Sequence, residues 1–216
     1  MASSNETTTG SAAAEAHSIS LTGHEGASSD TSSGPAAATA RIDSARISCL
    51  TNAQYHAGRE AFLDTLHRWF MFTVIALGAG ALLDLFPKEH VLTATALSVD
   101  LKELFAASAA IVAALDLTFD LSNRARMHAM QKRRYFELLA QLNAGEKTPD
   151  QVRVCIDQYS ADEEPPYRVM IFTCWNAAQL SVFGDEAKAF DIPIVAGWFK
   201  NWFRRPSAHY NLRADV

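Results

Sequence analysis

Trp69-Phe70-Met71-Phe72-Thr73-Val74-Ile75-Ala76-Leu77-Gly78-Ala79-Gly80-Ala81-Leu82-Leu83 runs for fifteen residues without a charge, and Asp84, Leu85 and Phe86 carry it to Pro87. As a helix rising about 1.5 Å per residue, the stretch to Phe86 reaches about 27 Å, close to the roughly 30 Å hydrocarbon thickness of a bilayer. It predicts one membrane span. A second uncharged run, Leu104 to Leu115, continues past Asp116 to Leu121 and predicts another. Joining residues 91–99 to it would place Asp100, Lys102 and Glu103 in mid-membrane at about 2.5–3.5 kcal/mol each, so those residues are read as an interfacial loop. The soluble alternative is a bundle whose core helices are apolar all round.

Charge flanking the two runs is asymmetric. Arg59 and Arg68 precede the first, and Arg124, Arg126, Lys132, Arg133 and Arg134 follow the second; the connection sets Lys88 and Lys102 against Glu89, Asp100 and Glu103. The positive-inside rule then predicts a multi-pass inner-membrane protein with both termini cytoplasmic. A formal charge of −5 over 216 residues argues against a nucleic-acid partner.

Outward from this pair, residues 1–43 are Ser-, Thr-, Ala- and Gly-rich, without aromatics, and predict a disordered tail lacking the layout of a secretory signal. Residues 44–144 form the two-span domain with its flanking helices. Its lead-in places Tyr55, Phe62, Leu63 and Leu66 at helical spacing, with Arg59, Glu60 and Asp64 left to water. The pattern runs unbroken from the second span to Leu142, with Tyr135, Leu138, Leu139 and Leu142 on one face, and stops at Asn143-Ala144-Gly145. Residues 145–190 form a cytosolic helical extension: Thr148-Pro149-Asp150-Gln151 opens one helix as a capping box. A second, over 167–183, offers Val169, Ile171, Phe172, Ala177, Leu180 and Phe183 to a core. Residues 191–216 are aromatic and basic. There Trp198, Trp202, Lys200, Arg204 and Arg205, like Trp69 at the first span, suit interfacial anchoring, the alternative being a terminal helix docked on the others. No stretch alternates like a strand, so the predicted class is all-α.

Asp116, Asp120, Arg124 and His128 recur every four residues and on a continuous helix make one polar stripe leaving the inner end of the second span. Carboxylates too costly to face lipid would line an assembly axis in a homo-oligomer, as a candidate pore; the local alternative pairs Asp120 with Arg124 and leaves Asp116 at the interface. Ala76 with Gly80, and Ala106, Ala110 and Ala114, repeat at the four-residue spacing that lets membrane helices pack closely. Catalysis has no support: there is no phosphate loop or nucleophile elbow, and Gly78-Ala79-Gly80 lacks the third glycine of a dinucleotide loop. His56 and Glu60 share a helical face without a third metal ligand. Cys49, Cys155 and Cys174 are too widely spaced for a metal or disulfide framework and read as unpaired thiols. No enzyme, metal or cofactor is expected.

The succession of amphipathic lead-in, two spans, Phe119-Asp120-Leu121-Ser122-Asn123-Arg124-Ala125, His128 and Arg133-Arg134-Tyr135 resembles the SLATT family of bacterial two-transmembrane effector domains. Glu163-Glu164-Pro165-Pro166-Tyr167-Arg168 with Asn176 resembles members carrying a long cytoplasmic extension. The likeness covers roughly residues 50–185, leaving out the tail and the aromatic terminus. It implies a membrane-perturbing effector of a bacterial conflict, or anti-phage, system, encoded beside a nucleotide-sensing or nucleotide-synthesising partner, whose activation opens a pore. The alternative is a scaffold that tethers a cytosolic partner without permeabilising the membrane.

Overall fold

A computed structural model describes residues 34–81, 101–202, 210 and 212. The described chain is all-helical apart from one isolated antiparallel bridge, Phe190 to Leu212. The tail to residue 33, residues 82–100 with the end of the predicted first span, Asp84 and the predicted loop at 91–99, and Arg204 and Arg205 lie outside it.

Helix α1 (Pro35–Ala81) is 47 residues long, about 70 Å at 1.5 Å per residue. It begins nine residues before the predicted tail ends: Pro35 takes the first helical position, where its missing N–H costs nothing, and Ala36, Ala37 and Ala38 are the strongest helix formers. Helices α2 (Leu101–Phe119) and α3 (Leu121–Asn143) return along it in the opposite direction. Gly80 meets Phe105, His67 meets Asp116, Leu63 packs with Leu121, His56 faces His128, and Ala45 and Cys49 pack with Leu138 and Leu142. Helix α4 (Pro149–Ala161) packs near the start of α1 and the end of α3 through Val152, Cys155 and Ile156, and α5 (Arg168–Phe183) lies against the middle of α1, where Met170 fills the space left by Gly58. A 3-10 turn (Gly184–Glu186) leads towards the short α6 (Ile194–Trp198).

Local chemistry explains the ends of α3 and α4. Gly145 takes φ +73° just past α3, a conformation cheap only for glycine. Thr148 and Gln151 form the predicted capping box, each side chain accepting from the other residue's backbone N–H. On α3 the predicted face is the buried one: Tyr135, Leu138 and Leu142 are covered and Leu139 packs beside them.

Other expectations are corrected. The helix does break between the second apolar run and α3: Asp120 sits at φ 46°, ψ 49°, left-handed, although Asp120 N–H still donates to the Asp116 carbonyl and Arg124 N–H to that of Asp120. Asp is among the few non-glycine residues that adopt this region, at a cost of about 1 kcal/mol. Because Asp120 is exposed and caps nothing with its side chain, Asp120→Gly is expected to raise stability by about 0.5–1 kcal/mol, read as a higher melting temperature. On α5 the buried residues are Val169, Met170, Phe172 and Ala178, while Ala177, Leu180 and Phe183 are exposed. Arg59, assigned to the wet face of α1, is 5% exposed. Its guanidinium lies 4.0 Å from the Tyr167 ring centre and donates to the Asn201 carbonyl at 2.9 Å, so cation–π and hydrogen-bond contacts replace water.

Candidate functional site

Two features stand out along α1: an apolar outer zone and a polar junction beneath it. In the outer zone, Trp69, Phe72 and Ile75 of α1 and Leu104, Ile111, Leu115, Leu117 and Phe119 of α2 are exposed. No charged residue lies between Arg68 and Ala81 or between Glu103 and Asp116. The helical stretch Glu103–Asn143 contains the one window, among the described residues, long and apolar enough to cross a membrane, and only 6% of that window is buried. A core helix of a water-soluble bundle satisfies the same composition but hides its surface, whereas this one displays it.

The contact between α1 and α2 uses Gly80, one of the predicted small residues, but not the alanines. A Cβ at Gly80 would stand 2.8 Å from Phe105 Cδ2, so that glycine is where the helices approach closely. Ala76, Ala106, Ala110 and Ala114 instead face outward, because the covered side of α2 carries Phe105, Ser108, Ala109, Val112 and Asp116. The alanine repeat is out of phase with the intramolecular contact.

Below this zone α1, α3 and the turn between α4 and α5 enclose a polar junction. His56, 1% exposed, directs Nδ1 at His128 Nδ1 (2.9 Å) and holds Nε2 3.2 Å from Glu163 Oε2, in ion-pair range but off hydrogen-bond alignment. Tyr135, fully buried, stacks on the His56 ring at 5.5 Å and donates its hydroxyl to Glu163 Oε1 at 3.0 Å. Arg124 donates to both oxygens of Glu164 at 2.6 and 2.7 Å. The Tyr167 backbone N–H donates to the Tyr55 hydroxyl at 3.3 Å, and Lys132 pairs with Glu60. The acidic turn Glu163-Glu164 is thereby fastened to both long helices by charge-assisted bonds.

Two rings meeting Nδ1 to Nδ1 need one donor and one acceptor, so the contact accommodates a single proton. Burial, then the neighbouring His56 and Arg59, hold the His128 pKa down from 6.5 to about 4 against the upward pull of Glu164 and Glu163. The folded chain therefore rejects a proton that the unfolded chain accepts between about pH 6.5 and 4. This contribution to stability is complete above pH 6.5 and lost as pH falls towards 4. After allowance for the partly solvated ring it amounts to roughly 1–2 kcal/mol. Urea midpoints at pH 7 and 4.5 are expected to differ more for the wild type than for His128→Gln.

The predicted stripe is dispersed by this arrangement. Asp116 accepts from His67 Nδ1 at 2.9 Å, Arg124 reaches Glu164 rather than Asp120, His128 faces His56, and Asp120 is exposed at the helix break. Likewise, the predicted His56–Glu60 face divides between two partners, His128 and Lys132. Among the described residues no group of three His, Cys, Asp or Glu could hold a metal ion. All three cysteines are free; burial, reinforced by Cys155, pushes the Cys49 thiol up to about 12, and burial pushes Cys174 to about 11, which makes both unreactive.

At the terminal segment the docked alternative describes Trp202 and not Trp198. Trp202 stacks edge-on against Phe62 at 5.3 Å, whereas Trp198 is 81% exposed. Sequence reasoning missed Tyr135 and Glu163 as neighbours of His56, Arg59 as a buried cation beside Tyr167, and His67 as the partner of Asp116; the antiparallel register that brings residues 56 and 128 together was the signal available. No family model, curated protein or solved structure matches the chain.

Proposed function

We propose that the protein is a two-span inner-membrane protein, with both termini in the cytoplasm, that acts without catalysis as an oligomeric membrane-perturbing effector of a bacterial conflict system. The observation that supports the membrane part is the uncharged outer zone of α1 and α2, with large apolar side chains exposed on both helices. Basic residues concentrated on the inner side support the orientation. The effector part rests on the resemblance of residues 50–185 to two-transmembrane effector domains, and a nucleotide-sensing or nucleotide-synthesising partner is the trigger that this resemblance suggests. In this reading the junction is the resting state: Asp116, Arg124 and His128 are held by His67, Glu164 and His56 and become available to a pore axis only on rearrangement.

Those same pairings favour a second reading, a membrane tether for a cytosolic partner, because side chains engaged within one chain have no need of a neighbouring copy. Inducible expression with a voltage-sensitive dye separates the two. An effector depolarises cells as its dose rises, and liposomes loaded with potassium leak when it is inserted. A chain that integrates fully at every dose while cells stay polarised and liposomes tight is the tether.

A further inference from the structure

Asn201 and Trp202, at the end of the segment 194–202, are fixed to α1 at a definite depth. The Arg59 guanidinium donates to the Asn201 carbonyl at 2.9 Å, and the Trp202 ring meets Phe62 at 5.3 Å. Phe62 lies seven residues inward of Trp69, about 10 Å along the helix. A bilayer has roughly 5–8 Å of headgroup layer on each side of its hydrocarbon core. On the partner helix, apolar exposure continues past the His67–Asp116 level: Leu117 is 84% exposed and Phe119 is also exposed, and Leu121, two residues on, packs with Leu63 beside Phe62. The exposed apolar surface of α2 thus ends at nearly the depth where Asn201 and Trp202 meet α1. In that segment Ala196 is buried, whereas Ile194, Val195 and Trp198 face away from the protein.

We infer that residues 194–202 form a third membrane contact, with Asn201 and Trp202 clamping the segment to α1 and Ile194, Val195 and Trp198 inserted at the boundary between headgroups and acyl chains. The inference rests on the membrane reading of α1 and α2 and adds to it a lipid-facing surface outside the spans. An indole suits this layer because its ring is apolar while its N–H reaches water or ester oxygens. Lys200, within the same segment, supplies a cation on the phosphate side. Docking on the cytosolic helices alone would cover Trp198, and in the structure it does not.

The full-length protein, reconstituted in phosphatidylcholine vesicles with chains brominated near the headgroup, tests this by tryptophan quenching in the wild type, Trp198→Phe and Trp69→Phe. The expected result is that each variant loses a share of the quenchable emission, Trp198→Phe by about as much as Trp69→Phe. If Trp69→Phe loses quenchable emission and Trp198→Phe loses none, the surface is overturned while the spans stand. If neither does, the membrane reading and this inference fall together. Trp198 emission that is blue-shifted yet untouched by brominated chains means a second copy or another protein covers the patch, which also overturns the proposal. Because Trp198 is exposed, its replacement by phenylalanine leaves the fold intact, which an unchanged circular dichroism spectrum verifies.

Discussion

Arginine at Ile111 is expected to remove most of the protein from the carbonate-resistant membrane fraction. Ile111 lies mid-way along α2, 60% exposed, with no charge between Glu103 and Asp116 to either side. Replacing an isoleucine near the centre of a span by arginine costs about 3–4 kcal/mol on insertion scales, more than a hundredfold in the insertion equilibrium. The segment already carries Asp116, and a second charge adds to that cost. For a helix in water the same change touches only an exposed position and shifts stability by no more than about 0.5 kcal/mol, while improving solubility. Met127→Arg is the matched control: Met127 is also exposed, but on α3 beyond the apolar zone, and its replacement should leave membrane retention unchanged. Equal retention of Ile111→Arg and wild type would place α2 in water.

The second large effect is at Tyr135. Truncation to alanine empties a fully buried aromatic site, removes the ring stacked on His56 and the edge contact with Tyr159 at 5.7 Å, and takes the hydroxyl away from Glu163. Large-to-small changes of this kind cost about 3–5 kcal/mol, a large part of a domain's stability. Tyr135→Phe keeps the packing and gives up only the hydrogen bond to a carboxylate, at about 1.5–3 kcal/mol. Burial and the nearby Glu163 carboxylate both raise the Tyr135 pKa, so the hydroxyl stays protonated and able to donate throughout the accessible pH range. Urea unfolding of the detergent-solubilised protein should rank wild type above Tyr135→Phe and that above Tyr135→Ala. A loss below about 1 kcal/mol for the alanine variant would contradict the packed junction.

What could be read from the sequence was whatever depends on near neighbours. The Thr148–Gln151 capping box, the stop at Gly145 and the buried face of Tyr135, Leu138 and Leu142 each follow from a few consecutive turns, and the structure contains all of them. Pairings between distant residues followed different rules. His56 and His128 are 72 residues apart and Arg124 and Glu164 are 40, so helical periodicity could only propose the nearer partner, Asp120, for Arg124. The break at Asp120 carries no glycine or proline to announce it. Arg59 was placed in water because arginine almost always is; its burial required Tyr167 and Asn201, brought from beyond residue 160. The alanine repeat of α2 was visible, but which side of a helix meets its neighbour depends on register, and Gly80 against Phe105 set a different one.

Helix α1 carries the apolar zone and the junction on one uninterrupted element, so the phase between them is a matter of residue count. One amino acid inserted between His56 and His67 would turn everything beyond it through about 100°, carrying His67 away from Asp116 and Gly80 away from Phe105 while His56 stayed with His128. Many spellings of this segment are therefore compatible with the architecture, but only one length.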